Sequence, residues 1–142
     1  ATTTSNTTTH IKTDGIRGCY YVVAVSANGV EGDKSNVVCV DNCPNFDLPN
    51  VFSPNGDLKN DVWLPMYCPR FVNQVTCKIV DRFGQIVYEY SGPLSGFGWD
   101  GKNISGKFAA SSTYFYECSV EFDVLDDANK TKYLKGWIEL VK

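Results

Sequence analysis

The sequence predicts an all-β protein, and three observations carry that prediction. No segment holds an apolar stripe at helical spacing over several turns. Short runs rich in aromatic and β-branched residues recur instead. Thr113 to Phe122 is the clearest, with Tyr114, Tyr116, Cys118, Val120 and Phe122 on one register. Turn residues punctuate these runs, among them Asn28-Gly29, Arg82-Phe83-Gly84 and the Gly-rich stretch from Ser91 to Gly106. Number and spacing fit an Ig-like antiparallel β-sandwich of about seven strands for residues 45–142. A separate β-hairpin precedes it.

In chain order, residues 1–15 are rich in Thr, Ser and Asn and read as a loose leader or one weak strand. Cys19 to Ser26 is a strand, Ala27 to Lys34 a polar turn and Ser35 to Val40 the return strand. The polar bridge Asp41 to Pro44 marks a boundary between residues 1–44 and 45–142. Asp47 to Phe52 reads as an edge strand, because Pro49 interrupts it and cannot donate to a ladder. Ser53 to Asn60 is a loop, Asp61 to Leu64 a short extended piece and Pro65 to Pro69 a turn. Val72 to Asp81 places Val75, Cys77 and Ile79 on one face, and Gln85 to Tyr90 returns after a turn at Gly84, a residue free to take positive φ. After a polar turn from Leu125 to Thr131, Tyr133 to Val141 is the last strand, with Leu134, Ile138 and Leu140 inward.

Composition narrows the function. The chain's 142 residues fall within the usual span of about 100–200 for a domain. Thirteen basic against sixteen acidic residues give a net charge of −3, the wrong sign for a nucleic-acid partner. Hydrophobic residues at 43% suffice for a packed core. The longest apolar run, Cys19 to Val25, is too short to cross a bilayer, so no transmembrane segment is expected. The Thr-rich start lacks a basic-then-apolar leader and reads as part of a longer protein. The single His10 sits in the leader, which weighs against His-dependent catalysis and His-rich metal sites. Asp57, Asp61, Asp81 and Asp100 supply carboxylates, but nothing suggests a substrate cleft, and no enzyme activity is expected.

Six cysteines, at 19, 39, 43, 68, 77 and 118, show no CxxC spacing, so disulfides and an oxidising compartment fit better than zinc. Cys19 and Cys39 would face each other across the first hairpin. Cys77 and Cys118 share the apolar registers of their strands, as a disulfide or as buried free thiols, and Cys43 with Cys68 would remain.

Five strings in order resemble one known family: LPNVFSPNGDLKNDVW from Leu48, VDRFGQIVYE from Val80, WDGKNISGK from Trp99, STYFYECSV from Ser112 and LKGWIELVK from Leu134. The family is the gliding motility-associated C-terminal domain, the type B sorting domain of the type IX secretion system of Bacteroidota. Leu58 stands where the family usually has Gly, and Ala109 to Ser112 replace its usual Pro-x-Gly. CYYVVAVSANGVEGDKSNVVCVDNCP is similar to the tail of a fibronectin type III or Ig-like module. The resemblance implies an address rather than a chemistry. A large adhesin-like or gliding-associated surface protein would cross the outer membrane after its folded C-terminal domain is recognised. An SprF-like (PorP-type) outer-membrane protein and the type IX translocon are the implied partners, with a periplasmic transit stage and a cell-surface or secreted destination. The competing reading is a carbohydrate- or surface-binding adhesion module acting after export.

Three sets of residues are candidates for a site. Asn55, Asp57, Asn60 and Asp61 offer hard oxygens at spacings that suit calcium, or else build Asx turns; no cofactor is otherwise required. Arg82 and Phe83 at a hairpin tip, with Tyr133, Trp137 and Val141 on the outward register of the last strand, are the partner-binding candidates. Arg82 would pair with a carboxylate if Asp126-Asp127 and the 55–61 loop share its end of the sandwich. Trp99 is either a stacking platform for sugar or peptide or a cover for the core.

Overall fold

The computed structural model describes Thr9 and residues 17–142. The expectation of a loose leader or weak strand, His10 included, falls outside the described residues apart from Thr9. The chain divides into two compact units, Ala1–Asn42 and Cys43–Lys142. Among the described residues the only helical pieces are single 3-10 turns at Leu94–Gly96 and Asp127–Asn129.

The described residues of the first unit form one hairpin in two registers. β1 (Gly18–Tyr20) pairs antiparallel with β4 (Val38–Val40), and β2 (Val23–Val25) with β3 (Glu31–Lys34). The turn is tighter than the polar composition of residues 27–34 suggests. Gly29 takes φ +79°, its N–H donates to Ser26 O at 2.9 Å, and Ser26 N–H donates to Val30 O at 2.9 Å. Residues 31–34 are thereby freed to pair rather than turn. The break between the two ladders is held by Ser35, whose Oγ accepts from Val22 N–H at 2.9 Å. Cys19 lies directly opposite Cys39 and the two form a disulfide.

The second unit carries seven strands: β5 (Asn45–Asp47), β6 (Val51–Phe52), β7 (Met66–Arg70), β8 (Val72–Val80), β9 (Ile86–Gly92), β10 (Ser112–Phe122) and β11 (Thr131–Leu140). Five form one sheet in the order β6-β11-β10-β8-β9, and β5 pairs with β7 in a second, smaller one. This is an Ig-like β-sandwich. Pro49 does more than demote an edge strand. The run around it splits, β5 joining the small sheet and β6 lying parallel to the end of β11. Residues 66–70, which composition marks as a turn, pair with β5 in a distorted strand where Tyr67 and Cys68 have φ +56° and +51°.

The core lies between the layers and is aromatic. Phe46, Trp63, Phe97 and Trp99 come from the small layer and its connections, and each is at most 4% exposed. They meet the inward register of the large sheet, Trp63 tilted against Tyr116 at 5.1 Å between centroids and Trp99 edge-on to Tyr114 at 5.2 Å. Cys77 and Cys118 face each other across β8 and β10 and form a buried disulfide, so the free-thiol alternative falls.

The Gly-rich stretch after β9 is a crossover, not a surface loop. β9 and β10 are both antiparallel to β8. The chain must therefore travel from the Gly92 end of the sheet to its Ser112 end, and on the way it buries Phe97, Trp99 and Ala109. This moves Asp126-Asp127 away from its expected neighbours. The 81–84 turn and the 53–61 loop lie at the end where β10 begins, whereas Asp126-Asp127 follows the far end of β10.

The expected Cys43–Cys68 pair does not form; both thiols are free and exposed. Register gives the reason. Asn45 stands opposite Arg70 and Asp47 opposite Met66. Cys43 thus continues past the Arg70 end of the ladder while Cys68 sits in its middle, an offset of several residues or roughly 10 Å at the strand rise. A disulfide tolerates at most about 7 Å between Cα atoms.

Candidate recognition surface

The outward register of the large sheet presents an ordered face. Val80, Phe115 and Trp137 stand side by side on β8, β10 and β11, with Ile86 opposite Val80 on β9. Phe115 is 49% exposed and Trp137 48%, high for large apolar side chains on a sheet interior. The next row is charged and alternates in sign across four strands: Glu89, Lys78, Glu117, Lys135. Lys135 bonds Glu117 at 2.8 Å and Lys78 lies 3.6 Å from Glu89. The Lys135 hydrogen bond holds the Glu117 carboxyl below its ordinary range. Because the row neutralises itself, the face carries an apolar stripe without strong net charge.

Alternation correctly places Tyr133, Trp137 and Val141 outside, all exposed. The structure brings only Trp137 into the stripe. Tyr133 belongs to the row beyond the charges, opposite Ser119, and Val141 follows the strand end. Arg82 and Phe83 crown the β8–β9 turn. Phe83 is 75% exposed and the Arg82 guanidinium lies 4.9 Å from its ring centroid. Among the described residues Arg82 has no carboxylate partner. Asp81 locks that turn instead, its Oδ1 accepting from Phe83 N–H at 2.8 Å and Gln85 N–H at 2.9 Å. Val80 and Ile86 carry no signal in the sequence, and Phe115 is one of several aromatics there that lie on both faces of their strands. Phe115's signal was its position off the Tyr114/Tyr116 register.

The 55–61 loop is an Asx lattice. Asp61 accepts from Gly56 N–H at 2.6 Å and Leu58 N–H at 2.7 Å. Asn55 accepts from Asp57 N–H, and Asp57 from Lys59 N–H. Leu58 and Asn60 take φ +67° and +54°, so Leu58 occupies a left-handed position that Gly would fill without strain. Among the described residues no group of three or more His, Cys, Asp or Glu side chains converges on a point.

Trp99 is fully buried, with Nε1 donating to Lys102 O at 2.7 Å, so its ring is closed to a stacking ligand. Asp100 caps the following turn through Lys102 N–H at 3.1 Å and pairs with the Lys102 ammonium, which lowers its pKa. Burial raises the phenols of Tyr88, Tyr114 and Tyr116; Tyr114 donates to Ala110 O at 2.8 Å and Tyr88 accepts from Gly98 N–H at 3.3 Å.

The second unit is a sandwich whose outer face carries an apolar stripe bordered by a row of alternating charges. Residues 46–140 match the CHU_C Type IX secretion signal domain, and the chain belongs to that family. A search of curated proteins finds no match. The family is one of secretion signals, not of enzymes, and its signal implies export across the outer membrane. No helix among the described residues is long and apolar enough to cross a membrane.

Proposed function

We propose that this domain directs a large, adhesin-like or gliding-associated surface protein through the type IX system, and that it is read as a folded shape. The family match over residues 46–140 carries the sorting role. The stripe of Val80, Phe115 and Trp137, with Phe83 beyond it, supports a contact surface for an SprF-like outer-membrane barrel. Such a surface exists only when three strands are paired in register, so recognition requires the folded domain. The backbone N–H groups that bond Asn55, Asp57 and Asp61 support reading the 55–61 loop as turn architecture that requires no cofactor. Residues 1–44 are the tail of a preceding fibronectin-like module, a reading supported by the exposed Val22, Val25, Val37 and Val38 of its hairpin.

The test is a fusion of all 142 residues to a neutral reporter in a type IX-competent bacterium. Export of the reporter by the native domain, and its loss when the order of residues 46–140 is scrambled so that no sandwich forms, is the expected result. Export by an unfolded domain contradicts recognition of shape.

A further inference from the structure

The charge row on the outer face of the large sheet changes sign when its order is reversed, and we propose that this face seats a second copy of the chain, paired about a two-fold axis that runs along the strands between β8 and β10. Across the sheet the row reads Glu89 on β9, Lys78 on β8, Glu117 on β10 and Lys135 on β11. A two-fold axis in the interface, parallel to the strands, lays each row on its own reversal. Lys78 of one copy then faces Glu117 of the other, and Glu89 faces Lys135. The alternative axis, set across the strands through this row, puts every charge against its own counterpart, which is unfavourable. Within one copy the row is already neutral, since Lys135 bonds Glu117 at 2.8 Å and Lys78 lies 3.6 Å from Glu89. Covering it therefore buries no unpaired charge, and each ion gains a second partner of opposite sign. Such pairs fix orientation more than affinity.

The neighbouring rows fit the same axis. Ile86, Val80, Phe115 and Trp137 run in that order across the strands, so Phe115 faces Val80 and Trp137 faces Ile86. A large ring thus meets a smaller side chain at every place, as close packing requires. The third row is Ser91, Thr76, Ser119 and Tyr133, and its reversal sets hydroxyl against hydroxyl, each able to donate or accept. Phe115, Trp137 and Ile86 are all exposed, and covering them drives the association. Facing sheets pack about 10 Å apart and cross at about −30°, so the two central strands make the closest contacts. Over the seven residues of β9, four strands present a face of roughly 20 Å by 23 Å. That is less than the about 800 Å² per partner of a standard interface, so the dimer is weak and reversible. The apolar stripe is the one assigned above to the sorting contact, so a second copy and the export barrel exclude one another. The pairing itself does not depend on that assignment.

The test is sedimentation velocity of the full chain, with the exposed thiols of Cys43 and Cys68 alkylated so that no intermolecular disulfide contributes. Conversion from monomer at about 1 µM to mostly dimer at about 1 mM is expected, and a monomer throughout that range overturns the proposal. Glu117→Lys sets a lysine against Lys78, and Lys78→Glu sets a glutamate against Glu117. Each variant alone is expected to dimerise about tenfold more weakly than the native chain. Mixed in equal amounts, the two variants meet with opposite charges at every position of the row, and their heterodimer is expected to match the native dimer. Undiminished self-association of both variants, or no gain on mixing, overturns the facing. Phe115→Thr is expected to weaken the native dimer about tenfold, and unchanged association overturns the surface. Should a variant not fold, the native ¹⁵N-labelled chain decides. Amide shifts on dilution centred on Lys78, Phe115 and Glu117 support this face, and shifts centred elsewhere overturn it. Reporter export reads the sorting role separately: a monomeric chain leaves that role standing, and retention of the fusion leaves the dimer standing.

Discussion

Trp63 and Trp99 exchange backbone hydrogen bonds, Trp63 N–H to Trp99 O at 2.8 Å and Trp99 N–H to Trp63 O at 3.3 Å, and both side chains are fully buried. Each indole N–H ends on a carbonyl, Trp63 on Pro49 O and Trp99 on Lys102 O, both at 2.7 Å. Two stretches without regular structure are thereby clasped over the large sheet and complete the smaller layer. Trp63→Ala removes a ring that also packs on Phe97 and Tyr116. It is expected to cost about 3–5 kcal/mol, read as a lower urea midpoint. A loss below about 1 kcal/mol would contradict the clasp.

The Cys77–Cys118 disulfide spans 41 residues of sequence and is buried. Loop-closure entropy puts its contribution near 4 kcal/mol at most. The double substitution to Ala is expected to lower stability by about 2–4 kcal/mol, measured by equilibrium unfolding. Cys43 and Cys68 should both react with a thiol reagent in the native protein, because both are free and exposed. A native thiol count of zero refutes that assignment.

Gly136 lies beneath the Tyr116 ring, and a Cβ there would sit 2.8–2.9 Å from Tyr116 atoms. The ring cannot retreat, because Trp63 packs on it at 5.1 Å. Gly136→Ala is expected to destabilise by about 1–3 kcal/mol, although Ala suits a strand better than Gly does. An unchanged melting temperature would show that the ring has room.

Asp100 has its pKa lowered first by the hydrogen bond from the Lys102 side chain. A depressed folded pKa adds stability that is complete above the ordinary carboxyl range near pH 4 and is lost as the pH falls through the folded value. Both side chains are over 40% exposed, so the effect is small. The stability difference between the native protein and Lys102→Met should therefore shrink on acidification from pH 6 to about pH 2.5. A difference independent of pH in urea titrations would exclude the ion pair as its source.

Phe115 and Trp137 are directly opposed and half exposed, so the double substitution to Thr should leave the melting temperature within a few degrees. Export of the reporter fusion should fall severalfold. Undiminished export by the folded variant would move the contact surface elsewhere.

The sequence by itself determined which residues face inward. Alternation in Val75, Cys77 and Ile79, in Tyr114 to Phe122, and in Leu134, Ile138 and Leu140 is a local property of a pleated strand, so it survives without knowledge of neighbours. It also placed Cys19, Cys39, Cys77 and Cys118 on registers where they could pair, and the structure shows the Cys19–Cys39 and Cys77–Cys118 bonds. It placed Tyr133 and Trp137 outside for the same reason. Only the tertiary structure decided which strands adjoin. The 93–111 stretch has the composition of a loop, yet Phe97 and Trp99 make it a crossover that reverses the expected end for Asp126-Asp127. Pro49 splits one run between two sheets, and the β5–β7 register separates Cys43 from Cys68. These outcomes, with the Phe115–Trp137 stripe and the charge row beside it, arise from pairings between residues distant in sequence. Strand pairing is set by the burial that the whole chain achieves, and no window of neighbouring residues encodes that quantity.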